Sequence, residues 1–225
     1  MVFDSDSIAS PIEAEPPHHK PETSQRCRRF LREGLGRGEA LLDVGCGDGE
    51  LLEVLKRQGG FDKVFGLEID PELTRVCHQR GLFVIRGRAE AIPLASASLD
   101  AVVCSVVIPY TDSRRAIREW SRILKPGGLV HATYHGWGFG WDYLLHGAHF
   151  KKRFYGLRML VNSVVYDWSG RRLPGFLGDT LCQSAKRLRL IYDSCGLTLE
   201  REEVIETVAG APRFLGHRLR KTKIG

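Results

Sequence analysis

Residues 41–55 read LLDVGCGDGELLEVL. An apolar run (Leu41, Leu42, Val44) that encloses one acid, Asp43, ends in three glycines at alternate positions: Gly45, Gly47 and Gly49. Leu51, Leu52 and Leu55 then resume at helical spacing. Glycines between a strand and a helix let the backbone turn tightly and let a ligand lie against it. In a sheet wound with helices on both faces, ligands bind outside the C-terminal ends of the strands, near the switch point. The spacing is G-x-G-x-G, not the G-x-G-x-x-G of dinucleotide folds. Glu50 stands where the third glycine of that motif would be, and an acid at a helix start disfavours a phosphate-bearing ligand.

The alternation continues along the chain. Strands are predicted over 40–45, 63–69, 82–87, 98–107 and 129–135, and helices over 49–59, 71–81 and 112–128. The strands are near-continuous apolar runs, as in a parallel sheet covered on both faces. Upstream, residues 1–17 are polar, acidic and proline-rich and are predicted to form a disordered arm. A helix is predicted over 23–35, capped by Thr23 or Ser24 and stopped by Gly34 and Gly36. Residues 18–225 are assigned to one α/β domain. After Gly136 the rhythm breaks, and 136–183 is predicted to be a helical cap insertion broken near Gly147 or Gly156. A helix over 184–197 and strands over 198–208 and 213–221 complete the chain, the last two antiparallel across the tight AGAP connection.

Composition narrows the class. The 225 residues, 43% of them hydrophobic, are enough for one sizeable core. No apolar run approaches the ~18–20 residues of a membrane span, and no secretory signal is visible at the N-terminus. Six cysteines (27, 46, 77, 104, 182, 195) include no Cys-x-x-Cys pair, so neither a zinc site nor a disulfide framework is expected. They read as reduced thiols of a cytoplasmic protein. The net charge is +6, and residues 136–225 hold 15 Lys/Arg against 8 Asp/Glu. That excess is a solvated basic face or an attraction for nucleic acid or acidic ligands.

Glu68 ends the second strand, 23 residues after Gly45. A carboxylate at that distance from a glycine loop can accept hydrogen bonds from both hydroxyls of a ribose. Asp70 is placed to cap the next helix ahead of Pro71. The stretches LLDVGCGDGELLEVL, VFGLEIDPEL, RGRAEAIPLASASLDAVVCS and IREWSRILKPGGLV follow one another in an order and spacing similar to those of class I S-adenosylmethionine-dependent methyltransferases. The resemblance covers about residues 40–135 and the terminal hairpin. It implies an α/β fold with a doubly wound seven-stranded sheet, six strands parallel and one antiparallel. It implies S-adenosyl-L-methionine as cofactor, leaving as S-adenosyl-L-homocysteine. The loop from Gly45 through Cys46 and Gly47 to Gly49 would lie against the amino-acid half, with Asp43 ordering it. Glu68 would hold the ribose and Ile69 the adenine face. The stretch Arg88, Ala89, Glu90 would meet the adenine edge through the Ala89 backbone, and Ser105 would face the cofactor pocket. Arg88 stands where the family usually has an Asp that accepts from the adenine amino group, and a guanidinium cannot accept. Arg88 is left to point away, stack on the ring, or pair with Glu90.

Methyl transfer is an in-line displacement in which positioning supplies much of the rate, so no catalytic residue need stand out. His135, at the end of the fifth strand, and Tyr110, in SVVIPYTD, are the candidate catalytic residues. Tyr110 reads equally as a lining of the pocket mouth or as loop packing. The Asn/Asp-Pro-Pro-Tyr of enzymes that methylate planar amino groups is missing. Substrate contacts are expected from Tyr110, Trp137, Trp141, His146 and Tyr155 in and beside the aromatic cap. That cap could instead be a packed helical extension, a dimer contact or a membrane-surface helix. His146 and His149, at i and i+3, could share a helix face, but two histidines without a third ligand make no metal site. The resulting reading is a methyltransferase acting on oxygen or nitrogen of a small, partly apolar acceptor, as a monomer or homodimer. Its rivals are an RNA-directed methyltransferase and a catalytically silent cofactor-binding scaffold.

Overall fold

The computed structural model describes residues 35–58 and 60–222. The arm over 1–17 and the helix predicted over 23–35 lie outside them, apart from Leu35. Seven strands form one sheet: β1 (Gly38–Val44), β2 (Phe61–Glu68), β3 (Val84–Arg86), β4 (Leu99–Ser105), β5 (Leu124–His135), β6 (Leu197–Val208) and β7 (Ala211–Lys221). Their spatial order is β3-β2-β1-β4-β5-β7-β6. β7 pairs antiparallel with both β5 and β6, and the other neighbours are parallel. Among the described residues, six strands therefore run one way and β7 runs the other, as the resemblance implied.

The helices are α1 (Glu50–Gln58), α2 (Pro71–Gln79), α3 (Ser113–Ile123), α4 (Trp137–His146), α5 (Phe150–Ser169) and α6 (Ala185–Ser194). Asp70 caps α2 as read, accepting from the Glu72 amide at 2.7 Å, with Pro71 at the first helical position. Asp112 caps α3 through the Arg115 amide at 3.1 Å.

Alternation along the strands divides the core. Leu42, Val44, Val102, Val130 and Tyr134 face α3 and α6, where Ile117, Trp120, Leu188 and Tyr192 complete the larger cluster. Leu41, Ala101 and Val103 face the other way, against Leu51 and Leu55 of α1. Both faces are covered, which is why β1 and β4 read as near-continuous apolar runs.

One boundary differs from the expectation, and one open alternative is decided. The helix predicted over 112–128 ends at Ile123, because Leu124 already pairs with Leu99 and opens β5. In the cap the break falls at Gly147, whereas Gly156 stays inside α5. A Cβ at Gly156 would meet the Leu144 amide nitrogen at 2.6 Å and the Gly140 carbonyl at 2.8 Å. Glycine there lets α4 and α5 pack backbone to backbone. The tight AGAP turn holds Ala209 and Gly210 at φ of 50° and 74°, the pattern of a hairpin turn that favours the right-handed strand twist.

Candidate active site

The site is built at the C-terminal ends of β1, β2, β4 and β5. β1 and β5 flank β4, so their ends lie roughly 10 Å apart at the usual ~4.8 Å strand spacing.

The glycine loop leaves β1 and closes on β2. The Gly45 and Cys46 amides donate to the Leu67 carbonyl at 2.7 and 3.1 Å. The Gly47 amide donates to Glu68 Oε2 at 2.9 Å. Glu68 Oε1 accepts from the Ile69 and Asp70 amides at 2.8 and 3.0 Å. This nearly buried carboxylate thus holds three amides, and its oxygens keep lone pairs for further donors. Gly45 and Gly49 are required by packing: a Cβ would meet Val107 Cγ2 at 2.2 Å and Leu82 Cδ1 at 2.4 Å, respectively. Gly47 is different. Its φ is +60° and a Cβ there would meet nothing within 4 Å. The loop turns its backbone toward open space at the one glycine whose amide is bound to Glu68.

Those features fit the ribose and amino-acid parts of S-adenosylmethionine. Asp43 is fully buried beneath the loop. Ile69 is 53% exposed beside Glu68, an apolar surface available to a ring. The Cys46 side chain turns away into the packing of Leu52, Cys77 and Val84, and burial raises its thiol pKa, so only its backbone stays with the loop. Ala89 is buried. Arg88 is largely exposed, with its Nε 3.6 Å from Glu90 Oε2. Glu90 also accepts from the Asp112 amide at 3.1 Å, tying the loop after β3 to the start of α3. Ser105 is buried, with its hydroxyl 3.3 Å from that of Thr133 on β5. Next to it Val106 holds φ of 60°, a conformation costly for a β-branched residue, and its amide donates to the Thr133 carbonyl at 3.0 Å.

An aromatic cluster packs together at the end of β5. His135 stacks on Phe139 of α4 with centroids 3.6 Å apart and planes 6° apart. Phe214, paired with His135 across β5 and β7, lies 5.7 Å from both rings. Tyr110 stands edge-on to His135 at 5.8 Å. Tyr143 adjoins Phe139 at 4.9 Å and Tyr155 adjoins Tyr143 at 5.7 Å. Tyr155 is fixed by its hydroxyl, 2.6 Å from that of Thr180.

His135 is buried, with no hydrogen-bond partner for Nδ1. Burial, helped by Arg213, lowers its pKa to about 3, so the ring is neutral at pH 7 and a weak base. Burial raises the Tyr110 phenol above its usual range, which keeps it protonated and a donor.

Other candidates sit elsewhere. Trp137 packs into the cap interior with Met159, Leu160 and Cys182. Trp141 lies on the cap surface. His146 ends α4, is exposed and contacts Asp142 at 3.1 Å. His149 precedes the first turn of α5 without a side-chain capping bond, so the two histidines share no helix. No cluster of three or more metal-ligating side chains exists among the described residues.

Arg172, Phe139 and Phe214 were not singled out in the sequence. Arg172 donates to the carbonyls of Ile108, Pro109, Thr111, Gly178 and Asp179, stapling the cap to the turn that carries Tyr110. It borders a cavity of about 820 Å³ between Arg88, Glu90, Tyr110 and Asp112 on one side and the ends of α5 and α6 on the other.

Comparison with known proteins agrees with this geometry. Residues 42–132 match the model of a methyltransferase domain. A malonyl-[acyl-carrier protein] O-methyltransferase of Herminiimonas arsenicoxydans is 33% identical over 90 residues, 40% of this chain and 35% of that protein. A ubiquinone biosynthesis O-methyltransferase of Xanthomonas oryzae pv. oryzae is 33% identical over 101 residues, 41% of each chain. The chain thus matches about two-fifths of the length of these curated relatives. Among solved structures, an S-adenosylmethionine-dependent methyltransferase from Mesorhizobium loti superposes with a TM-score of 0.64 at 17% identity, covering 85% of this chain and 96% of that one. Geranyl diphosphate C-methyltransferase from Streptomyces coelicolor, solved with S-adenosyl-L-homocysteine, gives 0.63 at 15% identity, covering 86% and 78%. Residues 42–132 are thus a methyltransferase domain, in a chain whose fold is that of the S-adenosylmethionine-dependent methyltransferases it superposes on.

Proposed function

We propose that this protein transfers a methyl group from S-adenosylmethionine to oxygen or nitrogen of a small, partly apolar acceptor. The observation that carries the reading is the pairing of two features at one sheet edge. The Gly47 backbone faces open space beside the Glu68 carboxylate, and the aromatic cluster of His135, Phe139, Phe214 and Tyr110 stands two strands away. When bound, the cofactor supplies an electrophilic methyl on a sulfonium.

The chain's own residues do the rest. Glu68 accepts from ribose hydroxyls while still holding the loop. Ile69 covers the adenine and the Ala89 backbone meets its edge. The cluster orients a flat or apolar acceptor and excludes water, so that its nucleophile arrives in line. Neutral His135 offers an acceptor nitrogen to an incoming hydroxyl or amine, and its low basicity assigns it orientation ahead of proton abstraction. Tyr110, edge-on beside His135, donates from its phenol.

The test is methyl transfer from labelled S-adenosylmethionine to a panel of phenols, amines and carboxylic acids, alongside RNA. Turnover on an apolar small molecule is expected, with kcat/KM falling about tenfold or more in Phe139→Ala while cofactor affinity holds. Turnover on RNA alone would favour the RNA-directed reading, and cofactor binding without any turnover would favour the scaffold.

A further inference from the structure

Helix α5 has an inward and an outward face. The inward one buries Gly156, Arg158, Met159, Leu160, Asn162, Ser163 and Tyr166. The other is exposed. Phe150 is 82% and Trp168 89% accessible, and Phe154, Leu157, Val161 and Val164 lie between 45% and 57%. These six residues step along the helix by 4, 3, 4, 3 and 4 positions, the spacing of a coiled-coil seam and not of a face that meets a sheet or a pocket.

The seam also reads the same from either end. The pairs 150/168, 154/164 and 157/161 are each centred on position 159. A second α5 laid antiparallel about that centre sets every seam residue opposite another: Phe150 on the partner's Trp168, Phe154 on the partner's Val164, Leu157 on the partner's Val161.

Charge follows the same symmetry. The start of α5 has no acidic residue in its first turn and no side-chain cap, yet carries Lys151, Lys152 and Arg153, all exposed. Cations are out of place at the positive end of a helix dipole and well placed at the negative end. Antiparallel pairing moves each basic triplet to the negative dipole end of the partner helix, where Arg171 and Arg187 also stand, whereas parallel pairing would stack the two triplets directly on each other. The area is sufficient as well. Two aromatic side chains at about 150–250 Å² each supply roughly half of the ~800 Å² per partner of a standard interface, and Phe154 with three aliphatic residues adds the remainder.

We propose that α5 is a dimerisation helix that pairs antiparallel with α5 of a second copy of this chain. The proposal is independent of the acceptor and of turnover.

Sedimentation velocity on the full chain across a concentration series tests it. The wild type should sediment as a dimer. Leu157→Glu, and separately Val164→Lys, should sediment as monomers with unchanged far-UV circular dichroism and unchanged S-adenosylhomocysteine affinity. Both sites are on the surface, so the fold tolerates the charge. Mixing the single variants Leu157→Cys and Val161→Cys under oxidation should cross-link unlike chains, and cross-links only between like chains would overturn the antiparallel geometry. A wild type that stays monomeric throughout overturns the proposal, as does a dimer that both charged variants leave intact. A monomer that binds phosphatidylglycerol vesicles through the seam would assign it to a lipid surface instead. A chain that dimerises only after removal of residues 1–34 would assign the seam to that segment. Each of these results also overturns the proposal.

Discussion

The carboxylate of Glu68 accepts the Gly47 amide at 2.9 Å, so the acid that ends β2 holds the loop that leaves β1. One side chain thereby sets the shape of the loop and offers its remaining lone pairs to a ligand. Removing it has two consequences. Glu68→Ala leaves the amides of Gly47, Ile69 and Asp70 without their acceptor and takes away the ribose contact. Cofactor binding should weaken by roughly 1.5–3 kcal/mol, the scale of a hydrogen bond to a charged group. Titration calorimetry with S-adenosylhomocysteine on the folded variant reads this, and unchanged affinity would remove Glu68 from the site.

Arg88 provides the contrasting case. Its guanidinium lies in solvent near Glu90, so Arg88→Ala should change cofactor affinity by no more than about 0.5 kcal/mol, as at ordinary surface positions. A tenfold loss in the same calorimetric assay would place the side chain on the adenine.

Arg172 is a structural staple beside the site. Arg172→Met removes the donors to five carbonyls that join the cap to the Tyr110 turn. Unfolding stability should fall by about 2–4 kcal/mol, in the range for breaking a buried polar network. Lysine cannot reproduce the planar fork and should rescue only part of it. Urea denaturation of the two variants distinguishes these outcomes.

Three buried histidines make stability depend on pH. Burial lowers His131 and His217 to about 4 and His135 to about 3. Arg218 adds to the effect at His131, Arg189 at His217 and Arg213 at His135, while Glu200 and Glu202 oppose it at His131 and His217. The unfolded chain protonates these rings near pH 6.5, before the native state does. Their contribution is therefore complete above about pH 6.5 and is lost as pH falls toward 4 and then 3, up to about 3–5 kcal/mol per ring. Urea midpoints should fall steadily over that window, and His217→Gln should flatten the slope. A flat profile would mean that the rings are protonated in the native state.

The sheet was legible because its physics is local. Runs such as Leu41–Val44 and Ala101–Cys104 are buried on both faces and show it in composition alone. The glycine loop and Glu68 were legible for the same reason, each marking the end of a strand. What escaped was decided by contacts distant in sequence. Ile123 ends α3 because Leu124 finds Leu99. Gly147 and Gly156 are equal as helix breakers on paper, and only the approach of α4 to α5 separates them. Phe214 reaches His135 because β7 runs against β5, and Arg172 reaches Pro109 across 63 positions. Trp137 and His146 carried the right chemistry for a pocket, but the turn of α4 sends one into the cap interior and the other to solvent.

Binding of S-adenosylhomocysteine to wild type and to Gly47→Val, measured by calorimetry on folded protein, tests the central assignment most directly. Gly47 sits at φ of +60° with open space beyond it, so valine costs about 1–3 kcal/mol of backbone strain but meets no neighbouring atom. The fold should survive with a lower Tm. The wild type should bind one cofactor product per chain, and the variant should bind none, because the valine side chain fills the space assigned to the ligand. A folded wild type that does not bind, or a Gly47→Val variant that binds as well as wild type, would contradict the account.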